Sequence, residues 1–429
     1  MKMIKMSMDC HFYTEEEKKF KEELRPWLEK NLTPYVLPVV QGDYNKVREA
    51  LKLLGKKGLL GAIHKKEYGG TEKGVAWESI LAEEVARING AIEMTRLVSA
   101  TLFGTPISKY AQPELKKKFL PKLISGELIG AIAMTEDTAG SDLTMMQNRI
   151  DKDESTGDYV VNGHKRYITN GGKADILSIY GVLQTLDDPN PRKRITGLLV
   201  ESNTPGFRVA EEYDLAGMEG ASVARLEFED MHVPAENLLG SEGQGFSILM
   251  DELNVERVGM SAACVGHAES AFDAALKYAQ ERQQFKQAIY NFERVGFRLA
   301  EDATHIRAER LLTLEAARLI DDGLDELATI AASMAFANGS TMEINVTNHA
   351  VQTLSGKAIT DRTGLVECAN RMANVMWVVG GTEDIQYFII QRELLKRLGG
   401  KKEAPEKKEA SKKPPAKPMK KTAPIPKIK

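Results

Sequence analysis

The stretch LMDELNVER (residues 249–257) opens a long helical pattern. From Val258 to Arg282 the chain has no proline, is rich in alanine and repeats apolar residues three and four positions apart, which predicts a helix. A carboxylate beside a guanidinium near the start of a helix suits chemistry on an anionic ligand, because helix N-termini favour anions. Arg257 can pair there with a ligand phosphate or with a nearby carboxylate. Alternatively, Glu256 and Arg257 form a solvated surface pair, as most Glu-Arg dipeptides do.

The length and composition of the chain are those of a soluble globular protein. Its 429 residues are enough for a large core and for roughly two to three domains. We expect no transmembrane helix, because no apolar run reaches about 18 residues, and no signal peptide, because residues 1–10 lack an apolar segment. Cys10, Cys264 and Cys368 are widely spaced and follow no metal-ligand pattern. A reducing, cytoplasmic setting without a metal site is therefore expected.

Charge is distributed unevenly along the chain. The last 29 residues, from Lys401 to Lys429, contain 11 Lys and 3 Glu and carry +8, so the net charge of −3 leaves −11 for residues 1–400. An acidic body does not favour nucleic-acid binding. Residues 399–429 are rich in Lys, Pro and Ala, and we predict that this basic tail is disordered. An alternative role for the tail is attraction to an anionic membrane or an acidic partner.

The first third of the chain has a helical pattern. Helices are predicted over 14–33, where the pattern starts with a capping box, and over 45–58, 75–88 and 91–110, with a further helix from Pro113. Residues 1–128 are therefore predicted to form an all-helical N-terminal domain.

The pattern then changes to strands and back to helices. Residues 129–238 contain short β-type runs at 157–163, 194–200 and 225–230, with a hairpin signal at Asn162-Gly163. Their spacing predicts an antiparallel sandwich or barrel of about seven or eight strands. Residues 239–398 are helical again, with long pieces at 287–322 and 325–355, and are predicted to form a four-helix bundle. The fold class is therefore α+β with three domains.

Four motif regions occur in this frame. They are AMTEDTAGSD (133–142), KRYITNG (165–171), LNVER (253–257) followed by RQQF (282–285), and QTLSG (352–356) followed by GGTEDI (380–385). In this order and with these domains, the chain resembles the acyl-CoA dehydrogenase family over nearly all of residues 14–398. The resemblance implies an FAD enzyme in which a carboxylate takes the Cα proton of an acyl-CoA while hydride passes from Cβ to the flavin.

The resemblance also implies which residues bind the cofactor and the substrate. Ser141 is expected to contact both the flavin and the CoA, and Asn254 and Arg257 are expected to hold the CoA side of the substrate. Arg282 and Phe285 correspond to residues that reach the diphosphate and adenosine end across a subunit interface. The remaining cofactor-binding residues implied are Met134, Thr135, Thr138, Gly140, Tyr167, Thr169, Gln352, Ser355, Gly356, Thr382 and Asp384, and the remaining substrate-binding residues implied are Glu93, Arg96, Gly380 and Gly381.

The catalytic base is the position where this sequence departs most from the commonest relatives. Most of them carry Glu immediately before a Gly-Thr pair near the C-terminus, and here that position is Gly380. The isovaleryl and long-chain types instead place the base in a Glu-Arg pair on a helix, which matches Glu256-Arg257. We therefore predict Glu256 as the base. The competing Glu252, one turn earlier, is expected to be exposed.

Other departures concern the flavin end and the acyl end. Lys286 and Ser355 stand where glycines are usual, Glu293 stands where Gln is expected, and Met372 follows Arg371 where Asp is common. Glu93 and Arg96 lie where the family builds the far end of the acyl pocket. They are predicted to bind a polar acyl group or to provide a second acid/base. Alternatively, the two side chains face solvent or each other.

The sequence thus predicts an FAD-dependent acyl-CoA dehydrogenase. The resemblance implies a homotetramer built as a dimer of dimers and an electron-transferring flavoprotein as the electron acceptor. One alternative is a flavoenzyme of the same fold with altered chemistry, such as a decarboxylating or cyclic acyl-CoA dehydrogenase or an oxidase. A second is an acyl-CoA-binding homologue without flavin, which Gly380 would favour and the intact 135–142 stretch would not.

Overall fold

The structure is a computed structural model that describes residues 11–361 and 364–398. The predicted basic tail and Cys10 lie outside the described residues. Seven α-helices come first, and Thr14 and Glu17 form the predicted capping box at the first of them, with Thr14 N–H donating to Glu17 Oε2 at 2.8 Å. Their bounds are α1 Glu15–Asn31, α2 Thr33–Val40, α3 Tyr44–Lys56, α4 Val75–Ala86, α5 Gly90–Arg96, α6 Gly104–Tyr110 and α7 Pro113–Ile124.

The predicted helix over 91–110 has an internal irregularity. Between α5 and α6, residues Leu97–Phe103 form a π-helical segment in which every residue is buried. The His64 imidazole lies beside it, with Nε2 2.7 Å from the carbonyl oxygen of Ala100. Widened helical turns of this kind are rare and occur often at functional sites.

Eight strands follow and form one sheet. In chain order they are β1 Gly130–Ala133, β2 Arg149–Lys152, β3 Tyr159–Thr169, β4 Ile176–Leu183, β5 Ile195–Glu201, β6 Phe207–Glu212, β7 Val223–Val233 and β8 Leu238–Leu239. They pair in the order β6-β7-β3-β2-β4-β5-β8, and β1 also pairs with β4. The sheet is not fully antiparallel as predicted, because β1 and β2 both run parallel to β4, at opposite ends of it.

The hairpin prediction at Asn162-Gly163 is wrong. Both residues lie inside β3, where the pairing with β7 shifts register between Val161 and Gly163. Asn162 is held there by Asp230 of β7, whose backbone N–H donates to Asn162 Oδ1 at 2.8 Å. The Asn-Gly pair therefore marks a β-bulge and not a turn, because bulges also accept glycine in unusual backbone conformations.

The C-terminal part is helical. Helix α8 Gly245–Glu281 is followed by a hairpin of β9 Gln283–Gln284 and β10 Gln287–Ala288. This hairpin delays the helix predicted from 287, so that it begins only at Glu293. The remaining helices are α9 Glu293–Asp321, α10 Asp325–Leu354, α11 Gly356–Thr360, α12 Leu365–Met376 and α13 Glu383–Arg397.

Helix α8 is the central element of the core. It packs against α4, α9, α10 and α12, and it is buried on all sides from Val255 to Ala271. Glu256 lies three turns inside this helix, so the expectation that the Glu256-Arg257 pair lies near the helix N-terminus, where an anionic ligand is favoured, is wrong. Across residues 11–361 and 364–398, none of the helices is long and apolar enough to cross a membrane.

Candidate active site

The Glu256 carboxyl is buried and incompletely satisfied. Glu256 is 8% exposed, and Arg257 is buried as well, which excludes the solvated surface pair. Within the described residues, Glu256 Oε2 has no hydrogen-bond partner. Burial raises the pKa of Glu256 to about 7, and the neighbouring Arg257 charge opposes this rise. A carboxyl with these properties can take a proton near neutral pH.

Arg257 is positioned by its own helix and by α10. Its Nη1 donates to Asn254 Oδ1 at 3.1 Å, and Asn254 Nδ2 donates to Thr329 Oγ1 at 2.9 Å. The two residues predicted to hold the CoA side of the substrate are therefore joined in one hydrogen-bonded chain.

Glu252 is buried, and the expectation that it is exposed is wrong. Its exposed fraction is 0%, and Tyr180 of β4 donates to Glu252 Oε1 at 2.7 Å. Burial raises the pKa of Glu252 well above its usual value, although the hydrogen bond from Tyr180 opposes the shift. The error has a clear cause: α8 is covered on its Glu252 face by the β sheet, which the helical pattern alone does not reveal.

Gly380 has a backbone conformation that disfavours any residue with a side chain. Its φ is +62°, and a Cβ built on it would lie 2.7 Å from Met260 Sδ on α8. The next residue, Gly381, also has a positive φ of 90°. Gln386 Nε2 fixes this turn by donating to the carbonyl oxygens of Gly380, at 3.2 Å, and Gly381, at 2.9 Å. Thr382 and Asp384 follow on the surface at the start of α13.

The loop after β1 is organised around a buried ion pair. Lys165 Nζ lies 2.7 Å from Glu136 Oε1 and donates to the carbonyl oxygen of Met134 at 3.1 Å. The Glu136 carboxylate also accepts from the backbone N–H of Gln147, at 2.6 Å, and of Asn148, at 3.0 Å. The two ends of the 134–148 loop are thus tied to one carboxylate, and the loop carries Thr135, Thr138, Gly140 and Ser141.

Comparison with known proteins agrees with this geometry. The family models of the acyl-CoA dehydrogenase N-terminal, middle and C-terminal domains match residues 14–127, 131–231 and 243–395. The chain belongs to the acyl-CoA dehydrogenase family. It is an FAD-dependent oxidoreductase that acts on acyl-CoA, as the resemblance implied, so the flavin-free alternative no longer applies.

Individual acyl-CoA dehydrogenases are similar over most of this chain and more than nine-tenths of their own length. Cyclohex-1-ene-1-carbonyl-CoA dehydrogenase of Geobacter metallireducens is 37% identical over 89% of this chain and 98% of that protein. Mitochondrial isovaleryl-CoA dehydrogenase of Oryza sativa subsp. japonica is 31% identical over 90% of this chain and 92% of that protein. The structure of butyryl-CoA dehydrogenase from Megasphaera elsdenii gives a TM-score of 0.83 at 31% identity and covers 89% of this chain and 99% of that chain.

The residues expected around the flavin ring suit an acyl-CoA dehydrogenase. In the described part of the chain, the hydroxyls of Thr135, Ser141 and Thr169 make no hydrogen bond, so they can serve a ligand with ring oxygens and nitrogens. Tyr167 is 55% exposed with φ +56°, because the β3–β7 register shifts between Lys165 and Ile168. This bulge turns an aromatic ring outward, where it presents apolar surface.

Tyr167 is held in this outward position by two neighbours. The Arg166 guanidinium lies 4.1 Å from the centre of the Tyr167 ring, and Tyr213 lies 5.1 Å away in a tilted arrangement. These half-buried or exposed hydroxyls and the supported aromatic ring suit an isoalloxazine ring next to the end of β3.

At the expected diphosphate and adenosine end, the side chains are on the surface. Phe285 is 86% exposed at the tip of the β9–β10 hairpin, and Arg282, Gln352, Ser355 and Gly356 are exposed too. Phe285 and Lys286 have φ values of 49° and 67°, and Ser355 has φ 55° and ψ −135°. Lys286 and Ser355 therefore keep backbone conformations that favour the glycines usual in the family. Glu293 is also exposed, in the first turn of α9.

Glu93 and Arg96 pair with each other inside the N-terminal helices. Arg96 Nε donates to Glu93 Oε2 and Nη2 to Glu93 Oε1, both at 2.7 Å, and Nη1 donates to Glu78 Oε1 at 2.6 Å. All three guanidinium nitrogens are thus engaged, and Thr101 donates to the same Glu78 oxygen at 2.7 Å. The geometry matches the alternative in which the two groups face each other and gives no support to a polar-acyl role.

Two contributors to this site lie outside the residues picked from the sequence. Tyr180 has no motif around it, and only the fold brings it to Glu252. Met260 stands one helical turn after Glu256, and that spacing is a signal that places both on one face of α8.

Proposed function

We propose that Glu256 is the base that takes the Cα proton of the acyl-CoA thioester. The observation that carries this assignment is the buried Glu256 carboxyl with its unpartnered Oε2. Gly380, at the position where most relatives carry the base, has no side chain and a positive φ that disfavours one. Bound FAD supplies the acceptor for the hydride that leaves Cβ. Arg257 and Asn254 hold the CoA side of the substrate, and Gly380 and Gly381 border the thioester.

The test is the absorbance of bound flavin during anaerobic mixing with acyl-CoA. Glu256→Gln keeps the size of the side chain and removes its basicity, so flavin reduction should slow by on the order of 10²–10⁴-fold while FAD stays bound. Glu252→Gln is the matched control, because it neutralises another buried carboxyl one turn away and should stay within about tenfold of the unmodified enzyme. Near-normal flavin reduction in Glu256→Gln would show that another group is the base.

We also infer the assembly and the electron acceptor. Phe285 is 86% exposed on a hairpin tip, which supports a role across a subunit interface in a homotetramer built as a dimer of dimers. An electron-transferring flavoprotein would then receive the electrons. The domains are proposed to span residues 1–128, 129–238 and 239–398, and the enzyme is proposed to work in the cytoplasm. Light scattering of the purified protein tests the tetramer, and a dimer or monomer would refute it.

A further inference from the structure

The π-helical segment Leu97–Phe103 lies where the N-terminal helices, the sheet and α8 meet. It packs against α8 on one side and against β1 on the other. On the α8 side, Leu97 lies against Gly259, where a Cβ would overlap its Cδ1 atom. Gly259 is three residues after Glu256, so Leu97 rests on the helical turn that follows the proposed base.

On the sheet side, the segment is joined to the first residue of β1. The backbone N–H of Gly130 donates to Ser99 Oγ at 2.9 Å, and the Gly130 carbonyl oxygen accepts from Asn170 Nδ2 at 3.0 Å. A Cβ on Gly130 would overlap the Phe103 ring, so this ring covers the start of the strand. Strand β1 leads directly into the 134–148 loop, which carries residues expected to contact the flavin. The segment therefore lies between the helix of the base and the strand that leads to the flavin loop.

His64 fixes the middle of this segment. Its side chain is fully buried, and Nε2 lies 2.7 Å from the carbonyl oxygen of Ala100. A carbonyl oxygen only accepts hydrogen bonds, so Nε2 carries the ring hydrogen. Burial lowers the pKa of His64, which keeps the imidazole neutral. Nδ1 has no hydrogen-bond partner among the described residues, so the bond to Ala100 is the only hydrogen bond of the ring there.

The surroundings of His64 hold its backbone and leave room for its ring. The His64 N–H donates to the Gly61 carbonyl oxygen at 3.2 Å, and the His64 carbonyl oxygen accepts from the Glu72 N–H at 3.1 Å. A Cβ on Gly104, the residue after the π-helical segment, would lie 2.7 Å from both Cε1 and Nε2 of His64. Glycine at 104 thus gives the imidazole the space that it needs to reach Ala100.

We propose that His64 is a positioning residue for the reaction. By holding the π-helical segment at Ala100, it keeps Leu97 against α8 and Ser99 against β1. It thereby sets the distance between Glu256 and the bound flavin. The proposal rests on Glu256 being the base. A misplacement of reacting groups by about 1 Å can lower a rate by on the order of 100-fold. Loss of the His64 hydrogen bond should therefore slow flavin reduction, although His64 is not among the residues expected to contact the substrate or FAD.

The experiment is anaerobic flavin reduction of the holoenzyme by butyryl-CoA, which separates the limiting rate constant from the apparent Kd. His64→Phe keeps a ring and removes the donor, so the limiting rate constant should fall about 10–100-fold. The apparent Kd should stay within about threefold, because the substrate contacts are unchanged. His64→Gln restores an amide N–H donor at a similar reach and should recover the rate to within about fivefold of the unmodified enzyme. Thr347→Val is the matched control, because Thr347 Oγ1 also donates to a buried backbone carbonyl, that of Glu343, at 2.8 Å. Its limiting rate constant should stay within about twofold.

Amide hydrogen exchange of the apoprotein gives a readout that is independent of turnover. Loss of the bond to Ala100 should speed exchange in residues 97–103 by about tenfold or more in His64→Phe. His64→Gln should exchange there as the unmodified protein does. Unchanged exchange in His64→Phe would show that His64 does not hold the segment and would overturn the proposal.

Gly104→Ala breaks the same contact from the other side and replaces His64→Phe should that variant fail to fold. Its methyl group would displace the unmodified imidazole from Ala100, so it should slow flavin reduction in the same way. A normal limiting rate constant in His64→Phe or in Gly104→Ala would overturn the proposal. Equal losses in His64→Phe and His64→Gln, or an equal loss in Thr347→Val, would overturn it too. Failure of the underlying base assignment would look different, because Glu256→Gln would then reduce its flavin normally with butyryl-CoA.

Discussion

The raised pKa of Glu256 predicts a pH dependence that ordinary carboxylates do not give. With a pKa of about 7, roughly one-tenth of Glu256 is ionised at pH 6 and about nine-tenths at pH 8. Only the ionised form accepts the Cα proton. The second-order rate constant for flavin reduction should therefore rise about tenfold between pH 6 and pH 8, and fall about tenfold per pH unit below pH 6. A carboxyl with the usual pKa near 4.5 would already be ionised throughout this range.

The assay is anaerobic stopped-flow mixing with butyryl-CoA at concentrations below saturation. Under these conditions the rate constant reports the ionisation of the free enzyme, which is the state that the structure describes. A flat profile between pH 5.5 and pH 8.5, or a limb near pH 4.5, would refute the argument that burial sets the pKa of Glu256.

The charge of Arg257 also affects the pKa of Glu256, which can be tested by substitution. Arg257 lowers the pKa of Glu256, so Arg257→Gln should move the limb of the profile to higher pH. Asp251→Asn is the control, because Asp251 is a half-exposed carboxylate on the same helix and bonds to Tyr110 instead. Its profile should stay in place. A limb that stays fixed in Arg257→Gln would show that burial alone controls the base.

Two further predictions concern the 134–148 loop and the positive-φ residues Lys286 and Ser355. Lys165→Met leaves Glu136 charged and buried without its ion-pair partner, which should lower the free energy of unfolding in urea by about 3–5 kcal/mol. The same substitution should weaken FAD binding to the apoprotein. An unchanged FAD affinity would show that the 134–148 loop does not contribute to cofactor binding. Lys286→Gly and Ser355→Gly relieve positive-φ strain and should each stabilise the protein by about 0.5–1 kcal/mol, measured by thermal unfolding. A loss of stability in either would mean that the side chain makes contacts that outweigh the strain.

The parts of the fold that the sequence predicts are those governed by local contacts. The capping box of Thr14 and Glu17 forms because both partners lie within one helical turn. The helix from Pro113 starts at that residue, since proline fits the first turn and disfavours a helical residue before it. The parallel pairing of β1 and β2 with β4 could not be predicted in the same way, because it depends on where distant segments meet.

In the candidate site, too, the features that depend on a local motif could be predicted and those that depend on distant contacts could not. Glu256 and Gly380 are visible in the sequence because each is read against a known motif. The burial of Glu252 could not be predicted from the sequence, because the Tyr180 side chain that packs on it is 72 positions away in the chain. The ion pair of Arg96 with Glu78 and Glu93 could not be predicted for the same reason, because it depends on how the helices pack. A charged residue in an apolar helix suggests a functional role when its buried partners are not known.

The proposed position of the base agrees with the packing of Gly380 against α8. Gly380 has no side chain, and Met260 fills the space that one would take, so a carboxylate cannot be restored at 380 without moving Met260. We therefore propose that the base comes from α8 itself, where Glu256 is the acidic residue one turn before Met260 on the same face. Met260, the side chain next to Gly380, thus lies one helical turn after the proposed base.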